Sequence, residues 1–184
     1  MNLPNKLTIL RLFLTIFFVI FYILSIPYSE MSIYRICALL VFIIASITDA
    51  LDGYIARKYN LITSFGKLLD PLADKVLVVC ALLCLLVTKE VPLIGVLIVV
   101  IREFSISSVR LVATEKGIVI AASKMGKIKT ITQMVSIILI LGKIYQINDA
   151  CYFITYLIYY LSVIFTAISL IDYVYKNRAV LKDN

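Results

Sequence analysis

The segment Asp49-Ala50-Leu51-Asp52-Gly53-Tyr54-Ile55-Ala56-Arg57, followed eight residues later by Gly66-Lys67-Leu68-Leu69-Asp70-Pro71-Leu72-Ala73-Asp74, puts four carboxylates at the inner ends of two strongly apolar runs. An ionisable side chain inside such a run costs at least a few kcal/mol, so its presence points to function. Asp49 and Asp52 are three residues apart and Asp70 and Asp74 four, which puts each pair on one helix face. With one helix ending near Lys58 and the next starting near Gly66, Asp52 and Asp49 fall roughly 9 and 13 Å below the polar turn between them. Asp70 and Asp74 come to roughly 6 and 12 Å by the same rise. The two pairs are therefore expected to meet at matching depth across an antiparallel hairpin. Four like charges so close do not all stay ionised without a positive partner. A cluster of hard oxygen donors suits Mg²⁺ or a similar divalent ion such as Mn²⁺, here expected as two ions.

Small residues fit the same site. Gly53 and Ala56 keep the helix face beside Asp52 low, and Gly66 opens the next helix, so backbone or a flat ligand can come close. Arg57, one turn beyond Gly53, is placed to bind phosphate near the surface.

Composition narrows the class. The 184 residues suit one domain, 1–184. Hydrophobic residues make up 62% and charged ones only 16%, too little polar surface for an ordinary water-soluble fold. The net charge of +7 sits in short loops between apolar runs, a multi-span membrane pattern and not a nucleic-acid face. Histidine is absent, which excludes His-based triads and His-ligated zinc, so any general base is a carboxylate, a lysine or a tyrosine. Cys37, Cys80, Cys84 and Cys151 lie in apolar segments without zinc-finger spacing and read as small hydrophobes.

In chain order, the sequence predicts six membrane-spanning helices: about Leu7–Ile26, Ser32–Lys58, Gly66–Val87, Pro92–Ala113, Thr130–Ile144 with a preceding turn that contains Lys127, and Cys151–Tyr175. The first run lacks a small-x-small cleavage site and reads as a span, not a secretory signal. Pro71 falls in the second turn of the third helix, where it bends the helix without breaking it. Six spans put both termini on one side, together with Lys6, Arg57, Lys58, Lys116, Lys124, Lys127, Lys129, Lys176, Arg178 and Lys182. The opposite turns hold mainly Arg35, Lys89 and Lys143. The positive-inside rule then sets the termini and the carboxylate mouth toward the cytoplasm. The expected fold is an all-α integral membrane protein with a polar metal-binding cavity open to the cytoplasm.

A second polar set lies further on. Arg102, Glu103 and Arg110 are on the fourth span, with Arg102 and Arg110 eight apart and so on one side of the helix; Lys127 and Lys129 open the fifth. Glu103 is expected to partner an arginine. These cations are candidates for a second anion site, with interfacial anchoring as the other reading of Lys127 and Lys129. Asp172 and the tyrosines of the last span are expected at the cytoplasmic interface.

The eight positions Asp49, Asp52, Gly53, Ala56, Arg57, Gly66, Asp70 and Asp74, spread over 26 residues, resemble the complete signature of the CDP-alcohol phosphatidyltransferase family. The resemblance continues through Pro4-Asn5-Lys6-Leu7-Thr8-x2-Arg11, through Arg102-Glu103-Phe104 with Arg110, and through Gly126-Lys127-Ile128-Lys129-Thr130. These latter motifs resemble the bacterial branch of the family that uses sn-glycerol 3-phosphate as acceptor. The resemblance implies transfer of a phosphatidyl group from CDP-diacylglycerol with release of CMP, in the cytoplasmic membrane of a bacterium. It implies that Asp49, Asp52 and Asp70 bind metal and that Asp74 is the general base, itself able to touch a metal. It further implies that Gly53, Ala56, Arg57 and Gly66, with Asn5, Thr8 and Thr63, hold the CDP-lipid. Arg102, Arg110, Lys127 and Lys129 are then expected to bind the acceptor phosphate. Membrane lipid is an implied partner, and a homodimer is implied by analogy alone. Rival readings keep the fold and change the acceptor to inositol phosphate, serine or phosphatidylglycerol. A divalent-cation transporter is the rival from another class.

Overall fold

The computed structural model describes residues 3–28, 31–59, 64–115 and 124–176, with the side chains at 3–8, 49–59, 64–74, 114–115 and 124 outside the described set. Six α-helices and one 3-10 turn make up the described residues: α1 Leu3–Ser25, α2 Ile33–Tyr59, α3 Ser64–Val87, α4 Leu93–Glu115, α5 Lys124–Leu141, the turn Ile144–Gln146, and α6 Asp149–Lys176. No strand occurs among them. Five helices start and end within a few residues of the expected spans. The fifth begins at Lys124, in keeping with the expected preceding turn that contains Lys127, but ends at Leu141 where Ile144 was expected. It stops early because Lys143 takes a left-handed φ of 51° and its N–H bonds back to Ile140 O at 3.0 Å, which closes the last turn. Pro4 sits in the first turn of α1, where its missing N–H costs nothing. Helix α3 runs on through Pro71.

The chain divides into two compact units, Met1–Glu90 with Ile140–Lys143, and Val91–Leu139 with Ile144–Asn184.

In the first unit α1 packs on α2 and α3 through a stripe of period 3.5: Arg11, Thr15, Phe18, Tyr22 and Ser25 are all buried. The facing stripe on α2 is Arg35, Ala38, Phe42 and Ala45, and the Phe18 and Phe42 rings meet at 5.8 Å. Leu77, Val78, Ala81, Leu82 and Leu85 are the buried face of α3. One end of this unit is tied by Arg35. Its Nε donates to Leu141 O at 3.0 Å and its Nη2 to Ile140 O at 3.4 Å, which caps the last carbonyls of α5. The same Nη2 pairs with Glu90 Oε2 at 2.5 Å, and the guanidinium lies 4.5 Å from the Tyr22 ring centre. Tyr22 in turn shares a 2.8 Å hydrogen bond with Thr88. Glu90 follows a Schellman end on α3: Lys89 takes φ 59°, Glu90 N–H reaches Leu85 O at 2.9 Å and Lys89 N–H reaches Leu86 O at 3.0 Å. Burial pushes the Glu90 carboxyl above the usual carboxylate range, and Arg35 pulls it only part of the way back. A cavity of about 110 Å³ opens beside Arg35, Glu90 and Lys143.

In the second unit α4 packs on α6. Gly95 of α4 faces Tyr159 of α6: an added Cβ would stand 2.3 Å from the Tyr159 hydroxyl oxygen. Ile106 and Val109 pack with Tyr173 and Leu170. Helix α6 is patterned inside out. Its buried positions are Thr155, Tyr159, Ser162, Thr166, Ser169 and Tyr173, every one a hydroxyl. Phe153, Ile154, Ile164 and Ile171 point outward, 51 to 70% exposed. By length and composition α6 alone, among the described residues, can cross a bilayer; the apolar stretches 9–25, 33–48 and 75–87 are shorter.

Candidate functional site

The Arg35 cluster gives the first unit a direction. It gathers the C-terminal end of α1, the N-terminal end of α2 and the C-terminal end of α3. Helix α2 therefore runs away from this cluster and α3 runs back toward it, in contact with α2. Asp49 is fourteen residues beyond Arg35 and Asp74 fourteen before Thr88, so both backbone positions lie about 21 Å along their helices from the cluster. Asp52 and Asp70 lie about 26 Å along by the same rise. The helical backbones thus carry the four positions at two paired levels. The side chains of Asp49, Asp52, Gly53, Ala56, Arg57, Gly66, Asp70 and Asp74, and of Asn5 and Thr8, lie outside the described residues, as does Thr63 altogether. Arg11, three residues beyond Thr8, is buried on the inward stripe of α1, and its carbonyl accepts from Thr15 at 2.9 Å.

The second polar set is fully described and is drawn together from three helices. Glu103 of α4 is buried, and its Oε1 accepts from Arg102 Nη1 at 3.0 Å and from the Lys129 ammonium of α5. Arg102 Nη2 donates to Ser169 of α6 at 3.0 Å. Two residues before Lys129, about half a turn away, Lys127 is exposed. Arg110, two turns beyond Arg102, is exposed and rests 5.8 Å from the centre of the Tyr173 ring. Glu103 has the arginine partner expected of it, and a lysine besides. Ser169 and the Tyr173 platform carried no sequence signal: a serine and a tyrosine on an apolar helix gain meaning only once α4 lies against α6. Tyr173 is buried, whereas Tyr175 is exposed and Asp172 is paired with Lys176 at 2.7 Å, four residues on.

Comparison with known proteins defines the class. A family model described as CDP-alcohol phosphatidyltransferase matches residues 1–168. The chain belongs to the CDP-alcohol phosphatidyltransferase family. It is 38% identical over 188 positions to a protein of Bacillus subtilis (strain 168), covering 98% of this chain and 97% of that one. It is 37% identical over 187 positions to a protein of Haemophilus influenzae, covering 100% and 97%. A third relative, from Rickettsia typhi, is 46% identical over 142 positions, covering 77% of each chain. All three carry the name CDP-diacylglycerol–glycerol-3-phosphate 3-phosphatidyltransferase.

Proposed function

We propose that the protein transfers the phosphatidyl group of CDP-diacylglycerol to sn-glycerol 3-phosphate, giving phosphatidylglycerophosphate and CMP. The carrying observation is end-to-end similarity to relatives named for that donor and acceptor, two of them covered almost completely. The chain works within a bilayer. The inverted pattern of α6, hydroxyls inward and large aliphatic groups outward, supports this, because hydrocarbon and not water is the solvent such a face suits. So do Phe13, Ile16 and Ile23 on α1 and Ile94 and Phe104 on α4, each more than half exposed.

The donor chemistry of four carboxylates on two adjoining helices fits hard divalent cations, Mg²⁺ or Mn²⁺, with Asp49, Asp52, Asp70 and Asp74 as holders. When bound, such ions supply Lewis-acid neutralisation of the charge that gathers on the departing CMP phosphate. The chain's own residues do the rest. Gly53, Ala56 and Gly66 let the cytidine diphosphate lie close to backbone, while Arg57, Asn5, Thr8 and Thr63 bind its polar groups. Arg102, Arg110, Lys127 and Lys129 orient the phosphate of the acceptor. The acceptor hydroxyl oxygen bonds to the phosphorus that bears diacylglycerol, the bond from that phosphorus to the CMP oxygen breaks, and Asp74 takes the hydroxyl proton. The lipid tails stay in hydrocarbon while the headgroup enters a cavity open to the cytoplasm. A pair of such chains forms the working homodimer.

Purified protein in detergent with CDP-diacylglycerol, Mg²⁺ and one acceptor at a time tests the reading. Glycerol 3-phosphate is expected to give phosphatidylglycerophosphate and CMP. Turnover with inositol phosphate, serine or phosphatidylglycerol but none with glycerol 3-phosphate rules it out.

A further inference from the structure

The polar cluster of the second unit holds one group that an acceptor-phosphate site does not obviously require. Arg102 and Lys129 stand on different helices and are joined through a single carboxylate oxygen of Glu103. The three residues are 9, 3 and 7% exposed respectively, so each is at least nine-tenths buried. Charges buried this far are costly unless paired. Unused donors lie nearby in sequence. Arg102 Nε and Gln133 Nε2, the latter one turn beyond Lys129 on α5, are buried and have no hydrogen-bond partner among the described residues. Two cations with spare donors beside them suit an incoming dianion. A carboxylate fixed between the two cations holds their separation before that dianion arrives, so their rotamers need not be ordered on binding.

We propose that Glu103 is a positioning residue: it holds Arg102 and Lys129 as a preformed pair for the acceptor's phosphate, and so sets the preference for a phosphorylated over an uncharged alcohol. Glu103 acts through the two cations and not on the acceptor itself. The inference rests on the reading above, in which Arg102 and Lys129 serve the acceptor.

Steady-state kinetics of the full chain in detergent, with glycerol 3-phosphate and with glycerol as acceptors, test it. Glu103→Gln is expected to raise KM for glycerol 3-phosphate at least tenfold, with a smaller change in kcat and KM for CDP-diacylglycerol within twofold. Its preference for glycerol 3-phosphate over glycerol falls in step. Glu103→Asp keeps the charge and draws the carboxylate back by about 1.5 Å; it is expected to raise the same KM at least threefold and to recover part of the preference. A folded Glu103→Gln protein with an unchanged glycerol 3-phosphate KM, or with both substrate KM values raised alike, overturns the proposal. Where Glu103→Gln does not fold, an unchanged KM in Glu103→Asp overturns it alone. Failure of the underlying reading shows differently: the wild-type protein makes no phosphatidylglycerophosphate, or Arg102→Met and Lys129→Met leave the glycerol 3-phosphate KM where it was.

Discussion

A proton must leave the acceptor hydroxyl as its oxygen bonds to phosphorus, and in a chain without histidine the proposed base is the carboxylate of Asp74. Asp74→Asn keeps the size of the side chain and removes its basicity. It is expected to lower kcat by about 10²- to 10⁴-fold, read as CMP release, while CDP-diacylglycerol still binds within threefold of wild type. Loss of lipid binding with chemistry intact would contradict the base assignment. Arg110 invites a different test. It is exposed, and its guanidinium lies over the Tyr173 ring. Arg110→Ala is expected to raise KM for glycerol 3-phosphate about tenfold and to leave KM for CDP-diacylglycerol nearly unchanged; equal effects on both would remove Arg110 from the acceptor site. At this scale the two sites differed in legibility. The aspartate positions could be read directly, because spacing within one helix already specifies a face. The Glu103 cluster could be read only in part: its arginine partner was expected, but Lys129 is 26 residues from Glu103 and Ser169 is 67 from Arg102, and the packing of α4, α5 and α6 joins them.

Between helices, two contacts carry most of the specification. Arg35 caps α5, pairs with Glu90 after α3 and stacks on Tyr22 of α1, so one side chain fixes three elements to the start of α2. Arg35→Ala strands a mostly buried carboxylate and uncaps α5. It is expected to cost about 3–5 kcal/mol, seen as a lower unfolding midpoint in detergent titrated with denaturant; a loss under 1 kcal/mol would mean that the capping is incidental. The sequence showed Arg35 only as one of a few cations on the opposite side of the membrane, since its carbonyl partners follow from where α5 ends. That end was itself misplaced by three residues, because the left-handed conformation that closes the helix falls on Lys143, a residue type that rarely adopts it. Gly95 is the second contact. Gly95→Ala drives a methyl to 2.3 Å from the Tyr159 hydroxyl, and Tyr159 is 1% exposed with little room to retreat. The overpacking is expected to cost about 1–3 kcal/mol. Tyr159→Phe removes the offending oxygen, which has no hydrogen-bond partner of its own, so the double variant should recover most of the loss. Independent, additive effects of the two changes would show that the contact does not limit the approach of α4 to α6.

For the whole chain, the six crossings proposed here put both ends on one side, and charge selects which side. The connections after α2 and α4, the start of α5 and the end of the chain carry Arg57, Lys58, Lys116, Lys124, Lys127, Lys176, Arg178 and Lys182. The other turns carry Lys89 and Lys143, with Arg35 already spent on Glu90 and the α5 carbonyls. On the proposed topology, the positive-inside rule directs the richer side to the cytoplasm. The proposed reaction needs the same orientation, since CMP leaves and glycerol 3-phosphate arrives on the cytoplasmic side. Single cysteines test it in a background with Cys37, Cys80, Cys84 and Cys151 replaced by alanine. A membrane-impermeant maleimide applied to spheroplasts is expected to label Lys89→Cys and Asn148→Cys at once. Arg178→Cys and Lys58→Cys should label only after the membrane is opened. The reverse pattern would put the aspartates on the face without nucleotide, and with them the phosphatidyl-transfer chemistry out of reach. Labelling of all four from outside would mean that the apolar faces of α1, α4 and α6 are covered by something other than lipid.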